Sequence, residues 1–186
     1  MEQIEKEDLD LFNRLTNKQF EEIKPYFENQ KFKKGDYIIR ENESVNKIYI
    51  IKSGLVKLYF RDKNDNESIL SFAFEDWWET DFTAFFNNSK SVLNLQCIED
   101  TETFCLHFID YNKIINEFKL ADYFLQKSIN GHIASQNRIL SLLSNSPKEK
   151  YEQFLKIYPN LAQRIPKSTL ALYLGVSRET LSRIYK

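Results

Sequence analysis

At 186 residues, 42% hydrophobic and 28% charged, the chain has room for one medium domain and a small one and is too apolar for a disordered polymer. Its acidic start, MEQIEKEDLD, lacks the basic-then-apolar succession of a secretory signal, no apolar run is long enough to span a bilayer, and two cysteines make no disulfide framework, so a reducing cytoplasm is the expected compartment. The net charge of −1 hides a split: residues 147–186 hold Lys148, Lys150, Lys156, Arg164, Lys167, Arg178, Arg183 and Lys186 against Glu149, Glu152 and Glu179, a net of +5 that leaves −6 for the rest. That split fits a basic nucleic-acid module on a body that stays off the polyanion, although a solvated basic helix would show the same charge.

From Asp8 to Tyr26 the near-helical spacing of Leu11, Leu15, Phe20 and Ile23 predicts a helical lead-in that Pro25 limits. From Phe32 the pattern changes to short β-branched and aromatic runs. Strands are expected at Tyr37–Arg40, Lys47–Lys52, Leu55–Phe60, Glu67–Phe74, Val92–Ile98 and Thr103–Phe108. The turns between them are KKGD around Gly35, KSG around Gly54 and DKNDN from Asp62 to Asn66. Many short strands at this spacing predict an antiparallel barrel, roll or jelly roll, and the helices on either side make the class α+β.

Beyond the sheet, Leu125, Ile129, Ile133, Gln136, Leu140 and Leu143 recur at steps of three and four, flanked by Gln126, Lys127, Asn130, Asn137 and Arg138. This predicts one long helix. Gly131 weakens it by about 1 kcal/mol relative to alanine, which points to a close backbone approach or a kink. The stripe suits a two-stranded seam between two copies of the chain, with Gln136 setting register, or ordinary packing against the roll. Asn145–Ser146–Pro147 then starts a short helix, Lys148–Ile157, which Pro159 ends.

The last twenty residues, KSTLALYLGVSRETLSRIYK, read as two short helices across a tight turn. Counting from Lys167, small Ala171 falls at five, where the helices approach, and Gly175 at nine, where the turn needs positive φ. Leu170, Leu174, Val176, Leu181 and Ile184 supply the inward faces. Ser168 or Thr169 can cap the first helix and Ser177 the second. The outer face carries Ser177, Arg178, Glu179, Thr180 and Arg183. Arginine can donate two hydrogen bonds to guanine and glutamate can accept from cytosine, so Arg178, Glu179 and Arg183 are the candidate base readers. Lys167, Ser168, Ser177 and Thr180 are the candidate backbone contacts. A terminal hairpin with solvated charges is the plain alternative.

The run SRETLSR resembles the recognition helix of the Crp/Fnr family of bacterial transcription regulators, and KKGDYIIRENESVNKIYIIKSGLVKLYF resembles the opening of a cyclic-nucleotide-binding β-roll. The resemblance spans most of residues 15–186. It implies a β-roll sensor over residues 1–117, a dimerisation helix over 118–145 and a helix-turn-helix domain over 146–186. It also implies a homodimer on double-stranded DNA, RNA polymerase as a further partner, and a hinge near residue 145. The chain stops at Lys186, so the winged hairpin many members place next is not expected.

The family's phosphate cassette should fall within Phe74–Gln96. The glycine and glutamate of cyclic-AMP binders align there with Glu79 and Thr80, and the arginine–serine pair with Lys90 and Ser91. Bulk and negative charge at Glu79 and a point charge at Lys90 imply weak or no cyclic-AMP binding and leave any effector unidentified. Trp77, Trp78, Phe82, Phe85 and Phe86 suit an apolar effector pocket or plain core packing. Cys97 and Cys105 are too few for an iron–sulfur site, His107 and His132 are isolated, and no nucleophile–base set or P-loop is present. No cofactor, metal or catalysis is therefore expected. A protein- or ligand-binding sensor without specific DNA binding is the alternative function, and an enzyme on a cupin-like roll a more distant one.

Overall fold

The computed structural model describes residues 4–118 and 120–184; part of the acidic start, and Lys186 of the basic count, lie outside them. The chain opens with helices α1 (Asp10–Asn13) and α2 (Asn17–Ile23). The single lead-in helix expected there is broken at Thr16. Its hydroxyl caps α2 by accepting from the Gln19 N–H at 3.2 Å, while the Gln19 side chain accepts from the Thr16 N–H at 3.0 Å.

Eight strands follow: β1 (Phe27–Phe32), β2 (Tyr37–Ile39), β3 (Lys47–Ser53), β4 (Val56–Arg61), β5 (Glu67–Ala73), β6 (Trp78–Glu79), β7 (Asn94–Cys97) and β8 (Thr101–His107). Helix α3 (Phe82–Asn87) is inserted between β6 and β7. The six expected strands are present to within two residues at each end. β1 and β6 were not anticipated, since β1 reads Glu-Asn-Gln-Lys between its two phenylalanines and β6 has only two residues. The strands form two antiparallel four-stranded sheets, ordered β1-β8-β3-β6 and β2-β7-β4-β5. Between them lie Ile48, Ile50, Val56, Leu58, Leu95 and Phe104, packed with Phe12 and Ile23 of the lead-in.

Helices α4 (Phe108–Glu117) and α5 (Ala121–Ser144) leave the roll, and α6 (Pro147–Ile157), α7 (Lys167–Leu174) and α8 (Arg178–Ile184) follow. The expected divisions at 117/118 and 145/146 lie between helices. Ser146 caps α6 through a reciprocal pair with Glu149, and Pro147 occupies its first turn. The apolar stripe of α5 does not pack on the roll: Leu125, Ile129, Ile133, Leu140 and Leu143 are 43–82% exposed. A Cβ on Gly131 would meet nothing within 4 Å, so close backbone approach is not its role. Among the described residues no helix is long and apolar enough to cross a membrane.

A second core joins α6–α8 to the roll. Leu55, Tyr59, Ile69, Phe72 and Ile98 pack with Tyr151, Phe154, Leu161, Leu170, Leu174 and Leu181. The sheet β2-β7-β4-β5 thus carries β4 and β5 side chains into both cores, Val56, Leu58 and Ala73 into one and Tyr59, Ile69 and Phe72 into the other.

Candidate nucleic-acid interface and the adjoining cleft

The C-terminal pair is built around Gly175. It adopts φ +64° and ψ +40°, its N–H closes α7 on the carbonyls of Ala171 and Leu172, and the Val176 N–H reaches Ala171 O at 3.0 Å. This left-handed cap turns the chain so that α8 crosses α7 with Leu170, Ala171, Leu174 and Leu181 buried between them. Ser177 caps α8, its Oγ accepting from the Thr180 N–H at 3.1 Å. Neither Ser168 nor Thr169 caps α7, which begins at Lys167, directly after Pro166.

Lys167, Ser168, Ser177, Arg178, Glu179 and Arg183 are exposed and Thr180 is half-buried. Arg183 Nε donates within its own helix, to Glu179 O at 3.4 Å. A main-chain amide first, and then the Ser177 hydroxyl, hold the Glu179 carboxyl below its usual range, so at neutral pH it acts purely as an acceptor. The apolar positions lie deeper: Leu170, Leu174 and Leu181 are buried and Val176 and Ile184 half-buried.

Arg164 plays a different part from the one its charge suggested. It donates to Glu99 at 2.7 and 3.2 Å, to Glu75 at 2.9 and 3.0 Å and to the Gly54 carbonyl at 2.8 Å. This cation clamps the helical unit to the roll. Nothing local in the sequence marks it, because its partners lie 65 to 110 residues away.

A cleft of about 640 Å³ runs between the roll, α5 and the helical unit, bordered by Leu58, Trp77, Trp78, Glu79, Phe82 and Arg138. A second hollow, about 340 Å³, shares Trp77, Asn130, Ala134, Arg138, Tyr158 and Tyr173 with it and continues toward α6. Of the four cassette positions, Glu79 alone borders the cleft. It accepts from the Ser71 hydroxyl at 2.7 Å and the Thr80 N–H at 3.2 Å, and burial pushes its carboxyl up to about 7. Thr80 is buried and donates to Lys47 O at 2.9 Å. Ser91, also buried, donates to Asp81, the cap of α3, at 2.8 Å, and Lys90 stands exposed in an isolated bridge to Ser44. The four do not meet at one anion. Trp77, Trp78 and Phe82 line the cleft, whereas Phe85 is buried in the core and Phe86 lies 52% exposed outside it.

Residues 29–118 match the cyclic nucleotide-binding domain family, a stretch that runs from β1 through α4. Among solved structures, FixK2 from Bradyrhizobium japonicum is 17% identical with a TM-score of 0.75, over 86% of this chain and 82% of its own. A protein from Eubacterium rectale assigned to the Crp/Fnr family of transcriptional regulators is 20% identical with a TM-score of 0.71, over 96% and 85%. The chain has the fold of a Crp/Fnr regulator. Catabolite activator protein from Thermus thermophilus shares that fold at 22% identity and a TM-score of 0.58, over 94% and 84%. A comparison with curated protein sequences returns no match. Within this Crp/Fnr fold both cysteines are buried. Burial pushes the Cys97 thiol up to about 11 and the Cys105 thiol to about 12, which leaves neither reactive near neutral pH. His107 pairs with Glu28 at 3.2 Å, and among the described residues no group of three or more His, Cys, Asp and Glu side chains could hold a metal ion.

Proposed function

We propose that the chain is a homodimeric, sequence-specific DNA-binding transcription regulator, with RNA polymerase as a further partner. The observation that carries this reading is the outer side of α8, where Arg178, Glu179 and Arg183 are exposed on a helix whose other side is buried. A helix presented in this way fits a major groove, with Ser177, Thr180, Lys167 and Ser168 beside the phosphates. A second copy supplies the partner. The stripe from Leu125 to Leu143 on α5 is apolar, exposed and interrupted only by Gln136, the pattern of a two-stranded seam. Two recognition helices joined in this way must stand about one DNA turn apart, so any change that rotates α6–α8 about the α5–α6 junction alters affinity.

The test is duplex binding by fluorescence anisotropy, at several salt concentrations, on a site selected from random sequence. Affinity should fall steeply with salt as counterions are released. Arg178→Ala should cost about 1–3 kcal/mol on the selected site and relax preference at one base pair. Equal losses on selected and random DNA would move Arg178 to the phosphates, and salt-independent or absent binding would favour a sensor that acts on proteins instead.

A further inference from the structure

Helix α5 carries two cations that no carboxylate neutralises among the described residues. Lys127 Nζ donates to the Asp76 main-chain oxygen at 3.1 Å and lies 5.4 Å from the centre of the Tyr123 ring. Arg138 Nη2 donates to Ile69 O in β5 and to Tyr173 O in α7, the latter at 3.1 Å, and the guanidinium sits 4.3 Å from the Tyr173 ring centre. Its Nε is buried without a hydrogen-bond partner. Both residues border the cleft, three helical turns or about 16 Å apart. The acidic groups on the same walls are engaged elsewhere. Glu75 is held by Arg164, Asp76 accepts from the Asp10 N–H at 2.9 Å, and Glu79 accepts from Ser71 and Thr80. His132, also on the wall, is exposed. Opposite the cations the surface is apolar, with Leu58, Leu70, Phe72, Trp77, Trp78 and Phe82.

A half-buried guanidinium whose two hydrogen bonds both go to neutral carbonyls, and whose buried Nε–H has no acceptor, is an unfinished anion site. A carboxylate adds charge attraction and can accept two parallel N–H bonds from the guanidinium fork, which a single carbonyl cannot. We propose that the cleft binds an organic monoanion with an apolar body, its acid group paired with Arg138, and that this pairing competes with the Arg138–Tyr173 bond that ties α5 to α7. The binding half stands on the cleft alone. The consequence for DNA rests on the function proposed above.

The chain's two tryptophans, Trp77 and Trp78, both line the cleft, so their emission reports occupancy. Decanoate and decylamine, chains of one length with opposite head groups, are the probes. Decanoate should shift the emission saturably and bind at least about tenfold more tightly than decylamine, the scale of one charged hydrogen bond. Arg138→Gln should remove that preference, and Arg138→Lys, which keeps a cation without the fork, should retain part of it. Each variant's thermal melt checks that it folds, and the charge preference of the unmodified protein needs no variant at all. Equal affinity for both probes, no saturable binding, or full preference in Arg138→Gln overturns the proposal. Decanoate should also change duplex affinity in the unmodified protein and leave it unchanged in Arg138→Gln; binding without that change refutes the competition with Tyr173. Absence of any duplex binding, with decanoate bound as expected, would instead fault the DNA-reading function.

Discussion

Glu79 gives the fold a measurable dependence on pH. The residue is 6% exposed, and burial raises its carboxyl from an ordinary 4.5 to about 7, against the weaker pull of the Ser71 hydroxyl. Between those values the folded protein keeps a proton that the unfolded chain has released, so the native state is favoured at low pH and this advantage disappears as pH rises through 7. At 1.36 kcal/mol per pH unit the full swing is about 3 kcal/mol, of which about 2–3 kcal/mol falls between pH 5 and pH 8. Glu79→Gln keeps the shape and a hydrogen-bonding carbonyl for Ser71 but does not titrate. Urea unfolding of both proteins across this range should therefore show near-equal stability at pH 5 and the variant ahead by about 2–3 kcal/mol at pH 8. Taking the difference removes groups that act in the opposite sense. Among them is Glu28, whose carboxyl is held low chiefly by the Lys47 hydrogen bond, so that its contribution is lost as pH falls. Parallel stability curves would refute the assignment of Glu79 as a neutral buried acid at low pH.

Arg164→Gln should loosen the helical unit from the roll. The side chain is 29% exposed, between the surface and buried regimes for ion pairs, so about 2 kcal/mol is expected, read as roughly thirtyfold faster hydrogen exchange in α6–α8; unchanged exchange would count against the clamp. Gly131→Ala should stabilise α5 by about 1 kcal/mol because its Cβ meets open space, and a lower melting temperature would show that the glycine is needed for another reason. Leu143 is 82% exposed, so Leu143→Glu should leave the subunit folded while halving the mass seen by sedimentation and weakening duplex binding; an unchanged mass would remove α5 as the seam.

Where local chemistry dominates, the chain could be read directly. The turns at Gly35 and Gly54 mark strand ends because their φ values, +90° and +104°, suit residues without a Cβ. Gly175 marks the bend between α7 and α8 on the same ground, and the stripe on α5 follows from the period of a helix alone. Thr16 and Gln19 were in plain sight too, but the apolar spacing across them masked the capping pair that splits the lead-in. β1 stayed hidden because its interior is polar, and β6 because two residues carry no period.

Assembly in three dimensions decided the roles of the charges. Arg164 counted toward a basic module until Glu75 and Glu99 claimed it, and Arg138 was one polar residue among several beside the stripe until β5 and α7 closed around it. The same holds for Glu79, whose neighbours strip it of water, and for Trp77 and Phe85, adjacent aromatic runs of which one lines a cleft and the other fills a core. Periodicity and turn propensity act within a few residues and survive in a one-dimensional text. Pairing and desolvation depend on partners from other elements, 65 positions away for Arg164 and Glu99 and 69 for Arg138 and Ile69, and only the packed chain supplies them.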